Sequence, residues 1–210
     1  HLWQAPTGLV MPRRYTTLPG WPAACDGELQ VRASGGGLVP QGPGVWNLSL
    51  MWPAPGAAPS GTDAIYQALC TNLSSALARL GIQASAQAVE GSFCDGRFNL
   101  AAHGRKLVGT AQAWRRVDGV PLVLTHAVIV LDADPAALTA RANAFEAALG
   151  SAVRYRADAL TSVAAEATDR HDIEARTITV QGGCRLADIN RAAEDSNNGT
   201  VIKPVLRMPG

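Results

Sequence analysis

No apolar run in this 210-residue sequence is long enough to span a bilayer, and no signal-peptide pattern opens it. The formal net charge is only +1, which gives neither a nucleic acid nor a membrane surface an electrostatic hold. With 47% hydrophobic residues the chain is too apolar for disorder, and its length suits one domain with its own core. The four cysteines, Cys25, Cys70, Cys94 and Cys184, include no CxxC pair and no dense framework, so free thiols in a reducing cytosol are expected. The four histidines, His1, His103, His126 and His171, lack metal-ligand spacing, and no metal is assigned. Neither GxxxxGK[ST] nor GxGxxG occurs, which excludes a P-loop and a dinucleotide fingerprint. There is no internal repeat and no heptad pattern. The chain opens on His1-Leu-Trp, which reads as strand, so a preceding segment is expected.

Lysine is scarcest of all. Lys106 and Lys203 are the only two, and arginine supplies every other basic side chain. The two are not interchangeable, because lysine offers a compact charge with a tunable pKa. Lys106 sits in the most informative stretch, Gly91 to Gln112. Phe98, Leu100 and Ala102 alternate with Asn99 and Ala101, His103-Gly104 turns the chain, and Leu107-Val108 begins a return run, which predicts a β-hairpin. Cys94 lies in the loop before it, between Gly91 and Gly96. Taken singly, such a cysteine reads as a small packed residue and such a lysine as a solvated charge. Together they can bring a thiol and an amine into one site.

A second stretch, Arg32-Ala-Ser-Gly-Gly-Gly-Leu-Val, precedes a strand-like Val45 to Met51. Its three glycines read either as a flexible turn or as a nest of N–H groups for a carboxylate or phosphate oxygen, with Arg32 ready to add charge. Elsewhere, short extended pieces broken by proline fill residues 1–18, and a brief strand is expected over 28–31. Ser60 or Thr62 caps a helix with Ile65, Leu69, Leu73, Leu77 and Leu80 in register, closed by Gly81. A strand is expected over 82–89 and another over 122–131, with His126 facing inward. Asp134-Pro135 starts a second helix carrying Leu138, Ala142, Phe145 and Leu149. Residues 151–210 read as a small appended unit on the 1–150 domain, with a strand at 177–180, a short helix near 186–193 and no recognisable chemistry.

Two of these stretches together resemble the lipoate-ligase and octanoyltransferase branch of the biotin/lipoate protein ligase superfamily. The first is Arg32-Ala-Ser-Gly-Gly-Gly-Leu-Val with Gly44-Val-Trp-Asn-Leu-Ser-Leu50. The second is Cys94-x-Gly-x-Phe98-Asn-Leu100 followed by Gly104-Arg-Lys-Leu-Val-Gly-Thr-Ala-Gln112. The resemblance implies an α+β fold in which helices pack on a mixed, largely antiparallel sheet. It implies catalytic roles for Cys94, as an acyl thioester, and for Lys106, at the acyl carbonyl. It also implies a substrate pocket drawing on Arg32, Ser34, Gly35, Gly36, Gly37, Asn99, Gly109, Thr110, Ala111, Gln112 and His126. Gln41 departs from the family, which often has histidine there, and the biotin-ligase signature is missing.

The function so implied is a cytoplasmic acyltransferase moving an octanoyl or lipoyl group through Cys94 onto a lysine of a lipoyl-type carrier domain. Its donor would be an acyl carrier protein or an acylated domain, and it would need no cofactor. The alternatives are a lipoate ligase that uses ATP and Mg²⁺ through an acyl-adenylate, and a non-catalytic binder of lipoyl domains or fatty acids.

Overall fold

A computed structural model describes residues 1–22, 25–32, 36–54 and 62–167. The strands are β1 (Leu2–Trp3), β2 (Gly8–Pro12), β3 (Glu28–Arg32), β4 (Val39–Gln41), β5 (Val45–Pro53), β6 (Ser85–Gln87), β7 (Asn99–Ala102), β8 (Arg105–Val117) and β9 (Val120–Val130). The helices are α1 (Thr62–Ala78), α2 (Pro135–Ala148) and the short α3 (Val163–Glu166), with a 3-10 turn at Arg13–Thr17. Six strands form one sheet in the order β1-β5-β9-β8-β7-β6, antiparallel throughout, and β3-β2-β4 form a second, in which only β2 and β3 run parallel. This is the α+β, largely antiparallel architecture expected.

Local chemistry accounts for the elements. His103 and Gly104 both take positive φ, 51° and 74°, and close the predicted β7–β8 hairpin in two residues. Asp118-Gly119 does the same between β8 and β9, a turn signal the sequence also carries. Helix α1 buries Ile65, Leu69 and Leu77, and Gly81, at φ 76°, ends its last turn. The Asp134 carboxylate accepts from the N–H groups of Ala136 and Ala137 and caps α2, with Pro135 in the first turn. The strand expected over 82–89 is only β6, because the chain leaves the sheet at both ends to form turns around Gly81 and Gly91. Strand β4 is too short to leave a period in the sequence. The strand and helix expected at 177–180 and 186–193 lie outside the described residues.

The large sheet has two faces of different character. On one, Leu100, Val108 and Ala127 pack against Leu69, Leu77 and Ile82 around α1. On the other, Val45 and Val130 pack against Leu9, Met11 and Leu38 of the small sheet and against Leu138 and Phe145 of α2. Register assigns β8 alternately to these faces. Thr110 opposes Ala127 on the α1 side, while Gly109 opposes Val128 and Ala111 opposes His126 on the α2 side.

Candidate active site

Cys94 occupies the loop just before β7 in a left-handed conformation, φ 50°, unusual for a residue with a Cβ. Three bonds hold it there. Asn99 Nδ2 donates to the Cys94 carbonyl at 2.7 Å, Lys106 Nζ donates to the same oxygen at 3.0 Å, and Lys106 Nζ also donates to the carbonyl of Phe93. The sulfur is left free to accept, and it does so from the Gly37 N–H at 2.9 Å and from Arg32 Nη2 at 3.4 Å.

Lys106 reaches this loop from the start of β8 and is 5% exposed. Burial lowers its pKa to about 8, against the opposing pull of Cys94 and Asp95 and with a further lowering from Arg32. Its fit depends on Gly109, where a Cβ would lie 3.1 Å from both Nζ and Cε. Gly36, at φ +119°, likewise makes room for Arg32, since a Cβ there would come within 2.1 Å of Nη2.

Two cavities meet at Cys94. One is an apolar slot walled by Val39, Pro40, Val45, Val128, Val130 and Leu138, with Arg32, Cys94 and Lys106 at its head and His126 on one side. The other is an open cleft that includes Tyr66, Phe98, Asn99, Arg14, Arg97 and Tyr155. The rings of Tyr66 and Phe98 stack with centroids 4.7 Å apart, and Arg97 lies over Phe98. His126 is partly buried, and burial, helped by Arg32, lowers its pKa below the ordinary value.

Most of the residues singled out in the sequence converge here, and Gln112 does not. Gln112 faces α1, donates to the Thr62 carbonyl at 3.4 Å and accepts from Trp114 Nε1 at 2.9 Å, so it braces the other side of β8. Thr110 lines both cavities, and its hydroxyl donates to the Phe98 carbonyl at 2.6 Å. Gln41 is buried in a reciprocal amide pair with Asn47, at 2.8 and 3.4 Å. Ser34 and Gly35 lie outside the described residues.

Sequence reasoning missed the contribution of residues 151–167. Arg156 N–H bonds to the Gly91 carbonyl at 2.9 Å, Thr161 N–H to the Lys106 carbonyl at 2.9 Å, and Ala164 N–H to the Leu131 carbonyl at 2.8 Å. Leu160 thereby closes part of the slot, and Tyr155 packs on Phe93 beside the cysteine. No periodicity announces such a strap, because its partners are remote in sequence.

The large sheet thus brings a thiol to the meeting point of an apolar slot and an open cleft. The comparisons agree on lineage. Residues 23–182 match the lipoyl protein ligase A/B catalytic domain family, and the chain belongs to it. The match runs past residue 150 and takes in the strap.

An uncharacterised protein of Cupriavidus necator is 46% identical over 180 residues, covering 77% of this chain and 71% of that protein. Two proteins named octanoyl-[GcvH]:protein N-octanoyltransferase are also similar. The one from Kyrpidia tusciae is 38% identical over 54% of this chain, and the one from Geobacillus kaustophilus is 37% identical over 42%. The aligned regions span only 41% and 30% of those two enzymes. The fold is also that of lipoate-protein ligase A bound with ATP, at TM-score 0.57 and 14% identity over 93% of this chain and 70% of that one. A bipartite archaeal lipoate protein ligase from Thermoplasma acidophilum gives TM-score 0.52 at 16% identity, over 93% of this chain and 69% of that one. Among the described residues no helix is long and apolar enough to cross a membrane.

Proposed function

We propose that this chain is the catalytic core of an acyltransferase that moves an octanoyl or lipoyl group through a Cys94 thioester to a lysine of a lipoyl-type carrier domain, without nucleotide. The observation that carries this reading is the position of the Cys94 sulfur, which borders both cavities and accepts two N–H donors. The slot takes the acyl chain and the cleft admits the protein that gives or receives it. The names of the similar octanoyltransferases point to the same chemistry.

In the first half-reaction a sulfur lone pair forms the S–C bond and the carbonyl electron pair moves onto oxygen. That pair then returns as the bond to the donor nitrogen, or to the sulfur of a carrier thioester, breaks. A leaving amine needs a proton, and the Lys106 ammonium supplies it. In the second half an acceptor amine attacks the thioester carbonyl, the S–C bond breaks to regenerate the thiolate, and neutral Lys106 takes the proton from nitrogen. A pKa of about 8 suits a group that must give a proton and then take one back near neutrality.

A nucleotide-dependent ligase would ask Arg32 and the Gly36-Gly37 loop to meet a phosphate. Here the Gly37 N–H and Arg32 are turned to the sulfur and Arg32 also binds the Gly37 carbonyl at 2.6 Å, which favours the transferase. The test is to incubate the protein with an octanoylated carrier domain, with an octanoyl carrier thioester, or with octanoate, ATP and Mg²⁺, and to weigh enzyme and acceptor. An octanoyl adduct on the wild type in either nucleotide-free arm, absent from Cys94→Ser, is expected. An acceptor modified only when ATP is present would replace this reading with the ligase. Tight binding of an octanoyl ligand with no adduct and no modified acceptor would leave a binder.

A further inference from the structure

The sequence pairs the thiol with Lys106. In the structure the groups in contact with the sulfur are different. We propose that Arg32, together with the Gly37 N–H, is the positioning residue that holds the Cys94 sulfur as a hydrogen-bond acceptor and keeps it nucleophilic, while Lys106 fixes the loop and handles the proton of the leaving group. The inference rests on the cysteine-transfer reading above.

Four observations converge on it. Gly37 N–H and Arg32 Nη2 both donate to the sulfur, at 2.9 and 3.4 Å, so its lone pairs are engaged as an anion's would be. Lys106 directs its hydrogen bonds elsewhere, to the carbonyls of Phe93 and Cys94. Among the described residues Arg32 has no carboxylate partner, and its other hydrogen bond is to the neutral Gly37 carbonyl, which leaves its charge to be answered by an anion. Finally, Arg32 Nε is buried without a partner among the described residues, on a side chain that lines the head of the slot. A buried donor left unsatisfied is costly unless a ligand meets it, and a thioester carbonyl at the slot head is the acceptor the geometry allows.

Nη2 alone donates to both the loop carbonyl and the sulfur, and the guanidinium keeps Nε–H as a further donor at the head of the slot. Lysine has one nitrogen at the end of a flexible stem, with no planar group to hold it against the sulfur and no counterpart of Nε–H. The glycine at position 36 is shaped to the same end, since a side chain there would collide with the guanidinium.

The experiment is alkylation of Cys94 by iodoacetamide at neutral pH, followed by peptide mass, with Cys25 alkylation and the melting temperature as controls for folding. No acyl donor is present, so the readout is independent of whether transfer occurs. Arg32→Ala should slow Cys94 alkylation by roughly tenfold or more, the scale of a hydrogen bond to a charged group. Added methylguanidine should restore part of the rate. Arg32→Lys should remain slow, Gly36→Ala should show a similar loss because it displaces the guanidinium, and Lys106→Met should lose less than Arg32→Ala.

Wild-type alkylation rates in both Arg32 variants, or a larger loss in Lys106→Met, would overturn the inference. If Arg32→Ala fails to fold, Arg32→Lys and Gly36→Ala decide it by the same rates. An Arg32-dependent Cys94 that takes no octanoyl group from any donor would sink the transferase reading alone.

Discussion

The two faces of β8 carry different kinds of side chain, and the difference separates what holds this protein together from what it uses. Toward α1 the strand presents Val108, buried in that core, and then Thr110, Gln112 and Trp114, half-buried and tied by side-chain hydrogen bonds. Toward α2 it presents Gly109 and Ala111, too small to fill the space above them. The void that results is where Lys106 folds over Gly109 and where His126 and Val128 look out from β9. A slot can thus be made by withholding volume from alternate positions of one strand, with the other face supplying the stability that the empty face forgoes.

Filling the empty face should have the largest effect. Gly109→Val places branched carbon against Lys106 Nζ and Cε, and a displaced amine beside the reacting sulfur should cut acyl-enzyme formation by about 100-fold. The check is single-turnover mass spectrometry, with circular dichroism to confirm that the sheet survives. An unchanged rate would break the contrast between the faces.

On the packed face, Leu69→Ala should cost about 2–5 kcal/mol by denaturant titration, because a fully enclosed leucine leaves a cavity behind. Its acylation rate, measured on the fraction that remains folded, should stay near the wild type. A selective loss of acylation at full stability would mean that α1 takes part in the chemistry.

The pH dependence sharpens the role of the lysine. Lys106 is a cation below its pKa of about 8 and neutral above it. Acylation by an octanoylated lysine should therefore fall as pH rises through about 8, for want of the proton that the leaving amine needs. The same limb should be absent from Lys106→Met, whose residual rate is low throughout. A rate that climbs through this window in the wild type would remove Lys106 as the proton donor.

The smallest effect is expected at Gln112. Gln112→Ala loses one long bond to the Thr62 carbonyl and one to Trp114, and should change the melting temperature by a few degrees and acylation by less than about twofold. The family resemblance puts this glutamine in the pocket, and strand alternation puts it on the far side. A strong loss of activity without loss of stability would reverse that assignment.

Much of the scaffold was legible because its determinants are local. The leucine ladder of α1, the Asp134-Pro135 start of α2 and the His103-Gly104 turn each specify their element within a few residues. The motifs also grouped Lys106, Arg32 and Gly37 with Cys94, and all three lie within hydrogen-bonding reach of that residue. Which cation touches the sulfur was not legible, because Arg32 and Cys94 are 62 positions apart and their contact depends on how β3 and the Gly37 loop sit against the β7 approach. Residues 155–161 carried no signal for a similar reason. Their bonds to Gly91 and Lys106 are made by backbone groups, which every residue possesses.

The amino-acid order alone fixed the hairpin at His103-Gly104, the two long helices and the presence of a thiol and a scarce lysine on neighbouring elements, since periodicity and turn chemistry act over short range. Tertiary packing decided the direction in which each group points: the lysine to carbonyls, the arginine to the sulfur, the glutamine away from the pocket. Those directions arise from strand register and from contacts between distant loops, and the free energy that selects them exists only once the sheet has closed around its two cores.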